Sequence, residues 1–178
     1  MARYLVTGIA GFIGAKLAHA LTAQGHKVRG IDNFSHGRRG NFLGIADKID
    51  LREADITDPA AIQSACEGMD YVLHQAALAS VPRSIADPIG SNHANVVGTL
   101  CVLRAAREAG VRRVVYASSS EKPPLFAPAR TGDVKDSLAD IAYSHEAMGN
   151  RPAIEFKECL RQTVEWYKTE FASVSVTS

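Results

Sequence analysis

The stretch YLVTGIAGFIG, from Tyr4 to Gly14, decides how the rest of the chain is read. Tyr4 to Thr7 form a short, mostly apolar run suited to a buried strand, and Gly8, Gly11 and Gly14 recur every third residue where a helix begins. A strand-to-helix phosphate loop has three uses for glycine: a tight turn, close approach of backbone N–H groups to a pyrophosphate, and close packing of helix on strand. The helix start then offers unpaired amides and the positive end of the helix dipole to the negative charge. The spacing is GxxGxxG, one residue away from GxGxxG, so the flanking sequence has to support it. From Phe12 to Gln24 a helix is predicted, with Ile13, Leu17, Ala20 and Leu21 on one face and Gly25 closing it. Lys27 to Ile31 reads as a second strand. Asp32 stands at its end, where an acid accepts hydrogen bonds from adenosine ribose hydroxyls. Because Asp32 would repel a 2′-phosphate, NAD is favoured over NADP; Arg29, Arg38 and Arg39 leave the other cofactor open.

Bulk properties exclude several classes. A chain of 178 residues can bury one sizeable core. Its 20 lysines and arginines against 19 acids give no electrostatic case for nucleic acid or an anionic membrane. No apolar run is long enough to span a bilayer and no signal peptide is evident. Cys66, Cys101 and Cys159 are far apart and odd in number, which suits thiols in a reducing cytoplasm. The six histidines show no ligand spacing, so no metal is expected.

Further along, Asn33 to Asp47 reads as a polar loop beside the adenosine, and Ile49 to Glu53 as a third strand. Thr57 or Asp58 caps a helix with Pro59 at its first position, running to Cys66. Asp70 to His74 is a fourth strand, followed by the small residues Ala76 and Ala77, against which a cofactor could lie flat. The longest helix is predicted from about Asp87 to Ala109. Ala94, Val97, Cys101 and Ala105 form its apolar stripe, and Val102, Leu103 and Ala106 widen it, so burial on more than one side is expected. Asn95 within it is either a satisfied core amide or a group facing the cofactor. Val111 to Ala117 is a fifth strand, with Tyr116 expected in the core, and it ends in Ser118, Ser119 and Ser120. Strands alternating with helices at this spacing imply an α/β fold with a doubly wound parallel Rossmann sheet of about five strands and a short C-terminal helical tail. The ligand belongs at the carboxyl ends of the strands.

The segments TGIAGFIG (7–14), DNFSHG (32–37), ADI (54–56), HQAALASVPRS (74–84), NVVGT (95–99) and VVYASSS (114–120) together resemble the extended short-chain dehydrogenase/reductase family. Within it they resemble the NAD-dependent nucleotide-sugar epimerases and dehydratases, especially UDP-glucose and UDP-N-acetylglucosamine 4-epimerases. That resemblance implies an NAD-binding Rossmann domain over 1–120 and, over 121–178, a remnant of the family's C-terminal substrate-binding part packed on it. It also implies that Gly8, Gly11, Phe12, Ile13 and Gly14 line the pyrophosphate, that Asp32, Asn33, Ser35 and Gly37 hold the adenosine ribose and phosphate, and that Asp55 and Ile56 contact adenine. Ala76 and Ala77 would meet the middle of the cofactor, and Asn95 and Ser118 its nicotinamide side. Such epimerases oxidise the sugar at C4 with NAD, let the 4-keto sugar turn over, and return the hydride to its other face. The base is the tyrosine of a Tyr-x-x-x-Lys helix, and a serine aligned with Ser119, beside Ser120, binds the reacting oxygen.

The chain departs from the family after Ser120. Glu121, Lys122, Pro123 and Pro124 lead directly into PARTGDVKDSLADI, which resembles the family's C-terminal end, so the Tyr-x-x-x-Lys helix and most of the sugar domain are missing from the middle. By the same resemblance Arg130 would bind the UDP diphosphate and Asp133 the uridine ribose, a sensible pairing for a planar guanidinium. A helix is expected from about Asp140 to Met148, and a last one carries Phe156, Leu160, Thr163, Val164, Tyr167 and Phe171 at helical spacing. Candidates to replace the lost base are Tyr143, Lys122 and His145. Loss of the sixth strand would bare a sheet edge and a helix face, so a homodimer or higher assembly is expected. The reading is a nucleotide-sugar 4-epimerase-type protein of reduced or rerouted activity that takes a UDP-hexose; the alternative is a non-catalytic protein that binds or senses NAD and UDP-sugar.

Overall fold

The structure, a computed structural model, describes residues 1–117, 142, 145, 146, 149 and 153–172. Five parallel strands, β1 (Arg3–Thr7), β2 (Lys27–Asp32), β3 (Ile49–Glu53), β4 (Tyr71–His74) and β5 (Arg113–Tyr116), lie side by side in the order β3-β2-β1-β4-β5. The order reverses at β1, so the crevice between the carboxyl ends of β1, β2 and β4 is where a ligand of such a sheet lies. The sheet is apolar on both faces because helices cover both. Leu5, Ile31 and Val72 meet Ile62, Ala65 and Cys66 of α2 (Pro59–Cys66) and Val102, Ala105 and Ala106 of α5 (Gly98–Glu108). On the other face Val6 and Val28 meet Ala15 and Ala18 of α1 (Phe12–Ala23), with Phe42 and Ile45 from two short 3-10 turns in the β2–β3 loop.

Local chemistry sets most of the ends. Gly25 follows α1 at φ +77°, a conformation costly for other residues. Asp58, rather than Thr57, caps α2, its carboxylate accepting from the amides of Ala60 (2.9 Å) and Ala61 (3.2 Å).

The long helix differs from expectation in two ways. It runs as α4 (Pro88–Asn92), a π turn (His93–Val97) and α5, preceded by a separate α3 (Val81–Ala86) that the periodicity did not reveal. It is also buried on one side only: Val96, Leu100 and Leu103 are 58%, 64% and 46% exposed. Among the described residues β5 is the edge strand of the sheet. Tyr116, expected in the core, lies on that strand and is 57% exposed.

The chain divides into two compact units, one holding the sheet and its helices, the other holding the last helix α6 (Phe156–Ala172). Of the expected helix at 140–148, Ala142, His145 and Glu146 are described, and all three are helical. No described helix is long and apolar enough to cross a membrane.

Candidate functional site

The crevice at the switch point begins with the β1–α1 loop. Gly8 sits at φ +65° and donates its amide to the Ile31 carbonyl (2.9 Å). A β-carbon there would come within 2.7 Å of the Ala76 amide nitrogen, so the missing side chain lets the β4 loop close against the β1 loop. Gly14 packs the helix on the strand, since its β-carbon would lie 2.2 Å from the Gly8 carbonyl oxygen. Gly11 is the N-cap of α1; no side chain caps this helix and no acid lies in its first turn. The start of α1 therefore turns a partial positive charge toward the crevice with no side chain capping it. Phe12 and Ile13 have exposed side chains.

The β2 end supplies the acid. Asp32 accepts from the Ala10 amide through Oδ2 and from the Phe34 amide through Oδ1, both at 2.8 Å. Each oxygen keeps a second lone pair, so the carboxylate can still take ligand hydroxyls. Asn33 donates to Asp55 at the β3 end (2.7 Å) and accepts from the amide and hydroxyl of Ser35. Asp55 also accepts from the amide and hydroxyl of Thr57. Burial pushes the Asp55 carboxyl up, but these three bonds outweigh it and hold the group below its ordinary value. Gly37 packs on Ala10, and Ile56 lies buried beneath the rim. At the β4 end, Gln75, Ala76, Ala77 and Leu78 complete the wall. The cleft is open to solvent and encloses about 620 Å³ when its mouth is included.

Of the cofactor positions read from the sequence, Gly8, Gly11, Asp32, Asn33, Ser35 and Gly37 line this cleft, joined by Asp55, Ile56, Ala76 and Ala77. Gly14 supports it from below. Asn95 sits in the π turn, where its amide is engaged at both ends with one residue: Oδ1 accepts from the Leu78 amide (2.7 Å) and Nδ2 donates to the Leu78 carbonyl (3.1 Å). Ser118, Ser119, Ser120, Lys122, Arg130, Asp133 and Tyr143 lie outside the described residues. His145 belongs to the other unit and has an exposed side chain.

The arginines that kept a 2′-phosphate open are largely committed. Arg29 pairs with Asp50 (2.6 Å) and donates to the carbonyls of Ser64, Ala65 and Glu67. Arg39 pairs with Glu53 and lies over the Phe34 ring. Among the described residues Arg38 has no side-chain partner. Sequence reading missed Arg83 of α3, which donates to His36 on the cleft wall (2.6 Å). It also missed the buried pair Thr7 and His74; their signal was a polar side chain closing each of two apolar strands.

A glycine-lined turn, an open helix start and an acid on the neighbouring strand thus fit a dinucleotide. The family model described as "NAD dependent epimerase/dehydratase family" matches residues 4–144. The chain belongs to that family. It is 45% identical over 131 residues to a UDP-glucose 4-epimerase of Mycolicibacterium smegmatis, covering 70% of this chain and 42% of that protein. It is 40% identical over 113 residues to a dTDP-glucose 4,6-dehydratase of the same organism, covering 62% and 34%. A solved UDP-glucose-4-epimerase from Stenotrophomonas maltophila, with bound NAD and formylated UDP-arabinopyranose, matches with TM-score 0.63 and 32% identity, over 67% of this chain and 38% of that one. The chain therefore spans less than half the length of these family members.

Proposed function

We propose that this chain is an NAD-binding protein of the nucleotide-sugar 4-epimerase type, acting on UDP-galactose/UDP-glucose or their N-acetyl forms in the cytoplasm. The observation that carries the reading is the cleft in which the open start of α1 and the Asp32 carboxylate face one space. In it the start of α1 holds the pyrophosphate, Asp32 and Asn33 hold the adenosine ribose, and Asp55 and Ile56 contact the adenine. NAD supplies a hydride acceptor and donor for the sugar carbon. Commitment of Arg29 and Arg39 elsewhere supports NAD over NADP. The sugar nucleotide would be held by Arg130 and Asp133, with Ser119 and Ser120 beside the reacting oxygen.

A second reading, a non-catalytic protein that binds or senses NAD and UDP-sugar, is favoured by one feature of the sequence. The residues four places after the five tyrosines are Gly8, Gln75, Ser120, Ala147 and Phe171, so no tyrosine has the lysine that would lower its pKa. Tyr143, Lys122 and His145 remain as bases of last resort. Incubation with NAD and UDP-galactose separates the two: UDP-glucose formed supports the epimerase, and NAD binding without turnover supports the sensor. Absence of both would overturn the proposal. The exposed face of Val96, Leu100 and Leu103 supports assembly as a homodimer or higher homo-oligomer.

A further inference from the structure

Beneath the cleft lies a chain of hydrogen bonds whose direction can be worked out from its ends. His74 is 2% exposed and Thr7 is fully buried. The ring meets the Thr7 hydroxyl through Nδ1 (2.6 Å) and the Thr99 hydroxyl through Nε2 (2.9 Å). Thr99 spends its own proton on the Asn95 carbonyl (2.6 Å), so toward His74 it can only accept. The ring proton is therefore on Nε2, and bare Nδ1 accepts from Thr7. Thr7 Oγ1 in turn uses its lone pairs on the amides of Gln75 and Ala76, each 3.2 Å away. At the far end of the same network Asn95 grips the Leu78 amide and carbonyl. The Ala76 amide is thus fastened by the Thr7 hydroxyl that His74 orients, and the backbone of Asn95, whose side chain holds Leu78, is tied to the same ring through Thr99.

We infer that His74 is a positioning residue: neutral and protonated on Nε2, it orders the Thr7–His74–Thr99–Asn95 chain that fixes the backbone of residues 75–78 as the floor of the cofactor cleft. An imidazolium would present a proton on both nitrogens. Thr7, already accepting from two amides, would then have to give up at least one of them. Among the described residues Tyr116, with its ring centroid 5.6 Å away, is the only titratable group recorded against the ring. Burial lowers the His74 pKa below its ordinary 6.5. Between that lowered value and the unfolded value the unfolded chain binds more protons. The contribution of the neutral ring is therefore full above about pH 6.5 and is lost as pH falls through the folded-state pKa.

The inference rests on the NAD reading only for its binding arm, so two measurements are paired. The first is calorimetric NAD affinity at pH 7.5. The second is hydrogen exchange of the Ala76 and Leu78 amides without nucleotide. His74→Leu and Thr99→Val, the second kept in case the first does not fold, should each weaken NAD binding about tenfold, the cost of roughly one lost hydrogen bond, and speed exchange at both amides. His74→Gln, which keeps a donor and an acceptor, should bind NAD and exchange at both amides as the parent does. Unchanged exchange and affinity in His74→Leu and Thr99→Val would overturn the inference. A parent chain that binds no NAD would sink the cofactor reading instead, and the exchange comparison would still decide the role of His74.

Discussion

A single methyl at Gly14 would sit 2.2 Å from the Gly8 carbonyl oxygen, against backbone that cannot swing aside. Gly14→Ala should therefore cost about 1–3 kcal/mol, read as a lowered urea midpoint. Gly40→Ala, with nothing within 4 Å of the new carbon, should stay within about 0.5 kcal/mol. Equal midpoints for the two would contradict the packing described. The need for glycine at these positions was legible from their spacing, because a strand-to-helix turn is a local object. What the spacing could not convey is that Gly8 also makes room for Ala76, which lies 68 residues on in the chain and arrives there through the sheet register. Thr7 and His74 were opaque for the same reason. Each looks like an ordinary polar strand end, and their meaning appears only when β1 and β4 pair Thr7 with His74.

Among elements, α2 shows how one distant side chain finishes a helix. Its start is written locally in Asp58 and Pro59, which sequence reading recovered to within the choice of cap. Its end is held from β2, where Arg29 donates to the carbonyls of Ser64, Ala65 and Glu67 while pairing with Asp50. Burial pushes the Asp50 carboxyl up, but bonds from Arg29 and Arg52 outweigh it and hold it low. Arg29→Met keeps the stem and removes the donors, so it should cost about 1–3 kcal/mol in urea unfolding through carbonyls left without partners. A loss indistinguishable from zero would show that water replaces the guanidinium. The strands were readable because apolar runs bounded by polar residues are local patterns, though their ends shift, as in β5, expected over Val111 to Ala117 and found over Arg113–Tyr116. The π turn was not, because it is centred on Asn95, whose amide is drawn to Leu78 across the cleft floor.

For the whole molecule, the parallel, doubly wound sheet followed from alternating strands and helices, and with it the placing of the cleft at the carboxyl ends of the strands; the order β3-β2-β1-β4-β5 came from the structure. The uncovered helix face was expected from the missing sixth strand and not from periodicity, which marks Leu103 as apolar without saying whether anything lies against it. Its exposure, with that of Leu100 and Val96, leaves a helix face fit for a second copy of the chain. The protein should sediment as a dimer at micromolar concentration, and Leu100→Glu as a monomer. A monomeric parent would contradict that assembly. The start of α1 and Asp32 border one cleft, and the claim on which the rest depends is that a dinucleotide fills it. Titration calorimetry with NAD and NADP tests this directly. The account predicts saturable binding of one NAD per chain, with NADP weaker by about tenfold or more, as a phosphate against Asp32 requires; no binding heat with either nucleotide, or tighter binding of NADP, would contradict it.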